Sequence, residues 1–139
     1  MTNRNLGLII KHQDLLTLPP TATMQQACKE MCTRKVGAVL VIDQERLVGI
    51  FTGRDAANAV GSGKTPDTTL DGVMTRRPET IAPRFTAIDA LRRMRDCNFR
   101  HLPVADEGGR LVGIVSRTDF LGLELDRLEE EVDLWERIA

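Results

Sequence analysis

Leu47-Val48-Gly49-Ile50-Phe51-Thr52-Gly53-Arg54-Asp55 returns 64 positions later as Leu111-Val112-Gly113-Ile114-Val115-Ser116-Arg117-Thr118-Asp119. Arg46 likewise matches Arg110. Before one extra residue the shift is 63, and Thr17, Pro20, Thr23, Ala27, Met31 and Asp43 match Thr80, Pro83, Thr86, Ala90, Met94 and Asp106. A duplicated unit of this size cannot easily bury its own apolar face, so two copies should pack together and leave a cleft for a ligand.

Each copy opens with an extended piece ending in proline: Leu16-Thr17-Leu18-Pro19-Pro20, then Thr80-Ile81-Ala82-Pro83. Thr23 stands three before Gln26 and Thr86 three before Asp89, both capping-box spacings at a helix start. Met24, Ala27, Cys28 and Met31, and then Ala87, Ala90, Leu91 and Met94, follow the period of a helix with one buried face. Val36 to Ile42 and Leu47 to Phe51 predict a β-hairpin across Asp43-Gln44-Glu45-Arg46. The second copy repeats it with Leu102 to Ala105, the turn Asp106 to Arg110, and Leu111 to Val115. Gly49 and Gly113 fall inside strands, where glycine marks a bulge or a close backbone approach. A further helix is expected from Thr52 and from Ser116. The fold class is therefore α+β, with two pseudo-twofold-related β-α-β-β-α repeats.

The expected boundaries are repeat 1 over 8–62, a linker over 63–72, repeat 2 over 73–125 and a C-terminal helix over 126–139. Gly61-Ser62-Gly63-Lys64-Thr65-Pro66 predicts a flexible linker. Leu121, Leu125, Leu128, Val132 and Trp135 give the C-terminal helix a narrow apolar stripe, suited to packing on its own domain or on a second copy.

The composition suits one soluble domain of 139 residues: 42% hydrophobic and 28% charged is too apolar for disorder. A net charge of -1 gives no long-range pull toward nucleic acid or an anionic membrane. Arg76, Arg77, Arg84, Arg92, Arg93, Arg95 and Arg100 nonetheless form a local excess that would attract a small anion. Aromatic content of 4% with no tyrosine argues against a base-stacking platform, so most of these arginines read as a solvated helix face. No apolar run reaches the ~18 residues of a membrane span, and Leu6 to Ile10 is too short for a signal peptide. Three cysteines without a scaffold spacing fit a reducing compartment, so a cytoplasmic protein is expected.

These features resemble the CBS motif, here joined as a tandem pair (a Bateman module). The likeness rests on the two quoted stretches, on Arg100-His101-Leu102-Pro103-Val104 and on Val73-Met74-Thr75, and it covers about residues 8 to 125. The chain looks most like small stand-alone bacterial CBS-pair proteins. The resemblance implies a non-catalytic regulatory module, often dimeric, with AMP, ADP, ATP, NAD or S-adenosylmethionine in the cleft. It implies no catalytic cofactor. A homodimer and an unidentified regulated protein are the implied partners.

Thr52-x-x-Asp55 and Ser116-x-x-Asp119 sit where a strand should run into a helix, whose N–H groups and dipole favour a phosphate. The Asp one turn on can accept hydrogen bonds from ribose hydroxyls. Arg54 or Arg117 would add a charge-assisted contact. The same pattern is equally a plain capping box, worth about 1 kcal/mol with no ligand at all. By the resemblance, adenine would lie against Thr17, Leu18, Gly37, Ala38 and Val39 in copy one, and against Thr80, Ile81, Arg100, His101, Leu102 and Pro103 in copy two. Arg100 and His101 in place of Gly37 and Ala38 make the two sites inequivalent, with copy two favouring phosphate. His101 also reads as an edge residue beside a carboxylate.

Other signals carry less. Gly61 to Thr65 contains the tail of a phosphate loop, but Asn58 stands where its first glycine is required and Pro66 cuts off the helix that should follow. Cys28 and Cys32, and Cys97 with His101, have spacings a metal can use, yet Cys28 replaces a core Leu91 and Cys32 and Cys97 align with arginines. With only His12 and His101 as histidines, no catalytic nucleophile–base arrangement is evident. A ligand sensor leads, and a ligand-free dimerisation scaffold is the alternative.

Overall fold

A computed structural model of the chain describes residues 4–11, 13–120 and 122–138, the last helix lacking a description of the side chains of 122–124, 126, 128, 137 and 138. The chain runs α1 (Leu6–Ile9), β1 (Thr17–Leu18), α2 (Met24–Arg34), β2 (Ala38–Asp43), β3 (Arg46–Thr52), α3 (Gly53–Gly61), β4 (Thr75–Arg76), α4 (Ala87–Cys97), β5 (His101–Ala105), β6 (Leu111–Ser116) and α5 (Gly122–Ile138). Single 3₁₀ turns occupy Leu70–Gly72 and Arg117–Asp119. This is the α+β architecture the sequence predicts.

Asp14–Pro78 forms one compact unit. Its sheet has the order β1-β2-β3-β4, with β1 parallel to β2 and the other pairs antiparallel. The alternation of β2 sends Val39 and Val41 into a core with Phe51, Met24, Ala27, Met31, Ala59 and Leu70. Thr23 caps α2 by accepting a hydrogen bond from Gln26 N at 3.1 Å, satisfying one of the helix's unpaired donors.

The second compact unit is Met1–Gln13 together with Glu79–Ala139. Here β5 and β6 form the hairpin, and Ile81 bridges Val104 in parallel, as β1 does β2. Leu6, Ala87, Ile88, Ala90, Leu91, Met94, Leu102, Val104, Val115 and Phe120 make its core. The capping box expected at Thr86 is complete: Asp89 Oδ2 accepts from Thr86 N at 2.9 Å and Thr86 Oγ1 accepts from Asp89 N at 3.3 Å.

The compact units do not follow the sequence repeats alone, because the segment leading into each repeat packs with the other one. Leu70 N donates to Ala22 O at 2.8 Å and Met24 N to Thr68 O at 2.8 Å. In the other unit Leu6 N donates to Phe85 O at 2.9 Å and Ala87 N to Arg4 O at 2.7 Å. Both strand glycines are explained by these leaders. A Cβ on Gly49 would lie 2.5 Å from Met74 Sδ, and one on Gly113 would lie 2.6 Å from Ile10 Cβ. A bulge also adjoins each glycine, the register shifting between Val41 and Ile42 and between Val104 and Ala105.

Two expectations need correction. The linker at 63–72 is a tied-down segment rather than a flexible one. Gly63 (φ +87°) ends α3 in a left-handed cap, with Lys64 N donating to Ala59 O at 2.9 Å and Gly63 N to Val60 O at 3.1 Å. Gln25 N then holds Pro66 O at 3.0 Å. Gly61 to Thr65 is thus a helix end, not a phosphate loop. Secondly, Ser116 does not begin a helix as Thr52 does. After one 3₁₀ turn, Phe120 is extended (φ −97°, ψ 146°) and buries its ring in the core, which breaks the helical path before α5 begins. The expected separate helix over 126–139 is the latter part of this one continuous α5.

Leu125 packs on the core, while Leu134 and Trp135 are exposed. Leu121 and His12 lie outside the described residues, as does the side chain of Leu128. Arg92 ties α4 to α5: its Nε donates to Glu131 Oε2 at 2.8 Å, and its Nη2 pairs with Glu131 Oε1. That arginine is therefore not part of a purely solvated face.

Candidate functional site

Strand register assembles the candidate residues at one end of each hairpin. Ala38 faces Thr52 across β2 and β3, and His101 faces Ser116 across β5 and β6. The residues at the start of one strand therefore lie beside the motif that leaves the next. In Asp14–Pro78 this end also collects exposed Gly37, Gly53 and Arg54, while Thr17 and Leu18 on the adjoining β1 pair further along β2, with Leu40 and Val41. In the other unit it collects Arg100, Arg117 and Asp119, with Thr80 and Ile81 on the segment beside β5.

Not every expected contact residue presents its side chain. Val39, Ile81 and Leu102 are core residues at 0%, 3% and 0% exposure, and Pro103 is buried. They offer a ligand only their main chain. Ile81 N and O are already engaged, with Pro103 O at 3.1 Å and Ala105 N at 2.9 Å.

At Thr52 a strand does run into a full α-helix, so the dipole argument holds there. The capping box closes completely. Asp55 Oδ2 accepts from Thr52 N at 2.9 Å and from Thr52 Oγ1 at 3.1 Å, while Thr52 Oγ1 accepts from Asp55 N at 3.4 Å. Thr75 Oγ1 then donates to Asp55 Oδ1 at 2.9 Å. Both carboxylate oxygens thus have donors within the chain, and the spare oxygen expected at Asp55 is not left over.

The Ser116 end differs. Asp119 Oδ2 accepts from Ser116 N at 2.7 Å and Ser116 Oγ at 3.3 Å, so the carboxylate closes its box through one oxygen. Asp119 is exposed, where Asp55 is half-buried. Arg4 Nη2 donates to Asp119 O at 3.0 Å, and Arg117 N to Arg100 O at 3.1 Å. The three-residue turn carries little dipole, so any anion here would rely on side-chain charge. Burial and the neighbouring Arg100 push the His101 pKa down, opposed by Asp119. His101 is therefore a neutral imidazole at neutral pH and supplies a hydrogen bond rather than a charge.

Thr75, which reaches Asp55, and Arg4, which reaches Asp119 O, escape a reading that takes each repeat by itself, because the exchanged leaders deliver them. The signal was nonetheless present: the 64-residue shift continues backward, matching Leu6 to Leu70, Ile10 to Met74 and Lys11 to Thr75. Gln13 completes the second leader in an unusual way. Its side-chain amide donates to Ile114 O at 2.7 Å and accepts from Ile114 N at 2.9 Å, serving as a strand partner. All three cysteines are free, Cys28 half-buried and Cys32 and Cys97 exposed, which fits structural thiols. Burial, then Cys32, raises the Cys28 pKa. Among the described residues no group of three or more His, Cys, Asp or Glu is placed to hold a metal, and no helix is long and apolar enough to cross a membrane.

A twofold sequence unit of this topology, with Thr/Ser-x-x-Asp at the end of each hairpin, defines a tandem α+β module. The CBS domain family model matches residues 9–62 and 70–126, and the chain belongs to the CBS domain family. It is 35% identical over 127 residues to the CBS domain-containing protein CBSCBSPB1 of Arabidopsis thaliana, covering 89% of this chain and 23% of that one. The chain thus spans about a quarter of the length of the first curated relatives it matches. Among solved structures, the CBS domain protein of Pyrobaculum aerophilum complexed with AMP superposes with a TM-score of 0.81 at 26% identity, over 91% of this chain and 98% of that one. The CBS domain pair of protein MJ0100 in complex with 5′-methylthioadenosine and S-adenosyl-L-methionine gives 0.76 at 26% identity, over 89% and 98%.

Proposed function

We propose that this chain is a regulatory, non-catalytic module that senses an adenosyl ligand: AMP, ADP, ATP, NAD or S-adenosylmethionine. The observation that carries the reading is the Ser116–Asp119 end of its hairpin. An exposed carboxylate is oriented there by its own box through a single oxygen, beside a neutral imidazole and two arginines. A carboxylate has about four acceptor positions, so a capped Asp119 can still accept from ribose hydroxyls. The AMP-complexed and S-adenosylmethionine-complexed relatives of the same fold support the ligand class. Binding would act as a signal only if the ligand distinguishes two states of the protein, which a regulated partner then reads. Free thiols, two of them exposed, support a cytoplasmic setting.

A second reading is a ligand-free dimerisation scaffold. It is favoured by Leu134 and Trp135, 57% and 67% exposed near the end of α5, and by boxes that close without any ligand. A thermal-shift panel of AMP, ATP, NAD and S-adenosylmethionine separates the two. A ligand at about 100-fold above its Kd should add about 2.7 kcal/mol of stability. No shift with any of the four would leave the scaffold.

A further inference from the structure

The duplication permits a position-by-position comparison of charge at the two hairpin ends. Arg100 and Arg117 stand where the other unit has Gly37 and Gly53, and the leaders place Arg4 and Lys11 where it has Thr68 and Thr75. The reverse exchange occurs twice, Arg54 against Thr118 and Lys35 against Asn98. Other cations near the Thr52 end are engaged: Arg34 pairs with Asp14 at 3.1 Å and Arg76 with Asp71 at 2.8 Å. Arg100 and Arg117 have no carboxylate partner of this kind among the described residues. By sequence position, Arg100 and Arg117, with Arg4 and Lys11 on the leader, outnumber Arg54 and Lys35 of the other unit, a surplus that an anion of several charges would neutralise. At the Thr52 end, a full helix dipole and a single arginine suit at most one phosphate.

We infer that the two ends have diverged in ligand charge: the Ser116–Asp119 end selects an adenine nucleotide bearing two or more phosphates, and the Thr52–Asp55 end an adenosyl group bearing one phosphate or none. This deepens the sensing function proposed above and rests on it. Arg100 and Arg117 flank the bound chain of phosphates, with Arg4 and Lys11 contributing from the leader. Discrimination is mainly electrostatic, so it weakens as salt is raised.

Calorimetric titration of the full chain with ATP, AMP and 5′-methylthioadenosine tests this. Giving the second unit the residues of the first, Arg100→Gly with Arg117→Gly, should weaken the tightest ATP binding by at least about tenfold, the cost of one lost charge-assisted contact. Methylthioadenosine binding should be unchanged. In the unaltered protein, raising salt from about 0.05 M to about 0.5 M should weaken ATP far more than methylthioadenosine. Conversely, Gly53→Arg, where a Cβ meets nothing within 4 Å, should strengthen ATP binding at the other end. If ATP and methylthioadenosine respond alike to the substitutions and to salt, the division of ligands by charge is wrong while adenosyl binding stands. If none of the three compounds binds the unaltered chain, the sensing function itself fails and this inference with it.

Discussion

Asp55 and Asp119 occupy equivalent places in the duplicated sequence, yet the structure uses them differently. Asp55 is held by Thr52 through one oxygen and by Thr75 through the other, at the start of a full helix. Asp119 closes its box through one oxygen only, on a short turn among cations. A motif of four residues thus fixes where a carboxylate stands, and a segment from outside the repeat decides what remains of it for a ligand. The exchanged leaders are what make the two ends differ.

The comparison is sharpest where those leaders touch the hairpins. Gly113→Ala should cost about 2–3 kcal/mol and Gly49→Ala about 1–2 kcal/mol, within the usual range for overpacking. The larger cost follows from the β-branched Ile10 within 2.6 Å at Gly113, because at Gly49 the closest atoms belong to the flexible Met74 and the backbone Thr75 O stands off at 3.0 Å. Urea denaturation of both variants checks the order, and equal costs would show that the leaders are interchangeable.

Thr75→Val removes the hydroxyl that occupies Asp55 Oδ1, and should destabilise the protein by about 0.5–1.5 kcal/mol, the net worth of a typical hydrogen bond. The same substitution would free that oxygen for a ribose, so adenosyl affinity at this end should rise. A fall in affinity, read by calorimetry, would mean that Thr75 itself contacts the ligand.

Much of this was legible in the sequence, for identifiable reasons. Both hairpins, the Thr23 and Thr86 helix starts and the tight packing at Gly49 and Gly113 follow from local pattern, and the duplication read each of them twice. The failures fall where one residue's tertiary role overrides the repeat. Phe120 buries its ring and stops the helix expected from Ser116, although Asp119 before it matches Asp55 of the first copy. Gly61 to Pro66 looks like linker by composition, yet its glycines end a helix and its carbonyls pair with α2. Among the candidate residues, the position of those at the strand ends follows from the hairpin pattern, while Val39, Ile81 and Leu102 are taken into the core. The engagement of Asp55 by Thr75 spans 20 residues and was visible only by extending the 64-residue shift into the leaders.

Acid should expose a difference between the ends as well. His101 has a folded pKa below its ordinary value because of burial and Arg100, so its neutral form favours the fold. That stability is present above the unfolded pKa of about 6.5 and is lost as pH falls through the lower folded value. Ala38 stands in the equivalent place and cannot titrate. His101→Asn should therefore flatten the stability profile in the window just below about pH 6.5, the ordinary histidine value. Guanidinium melts across that window check it, and an unchanged slope would assign the acid sensitivity elsewhere.

The smallest effect concerns the helix ends. Lys35 and Asn98 both cap a helix in the left-handed region, at φ 53° and 55°, but only asparagine tolerates it well. Lys35→Asn should stabilise the protein by roughly 0.5–1 kcal/mol, and Asn98→Lys should cost a similar amount.

The most direct test of the functional account is ATP titrated into the unaltered chain and into Asp119→Ala. The account predicts binding to the first, weakened in the second by about 1–3 kcal/mol, or roughly fivefold to 150-fold. Equal affinity in the two proteins would contradict it, leaving Asp119 as a cap and nothing more.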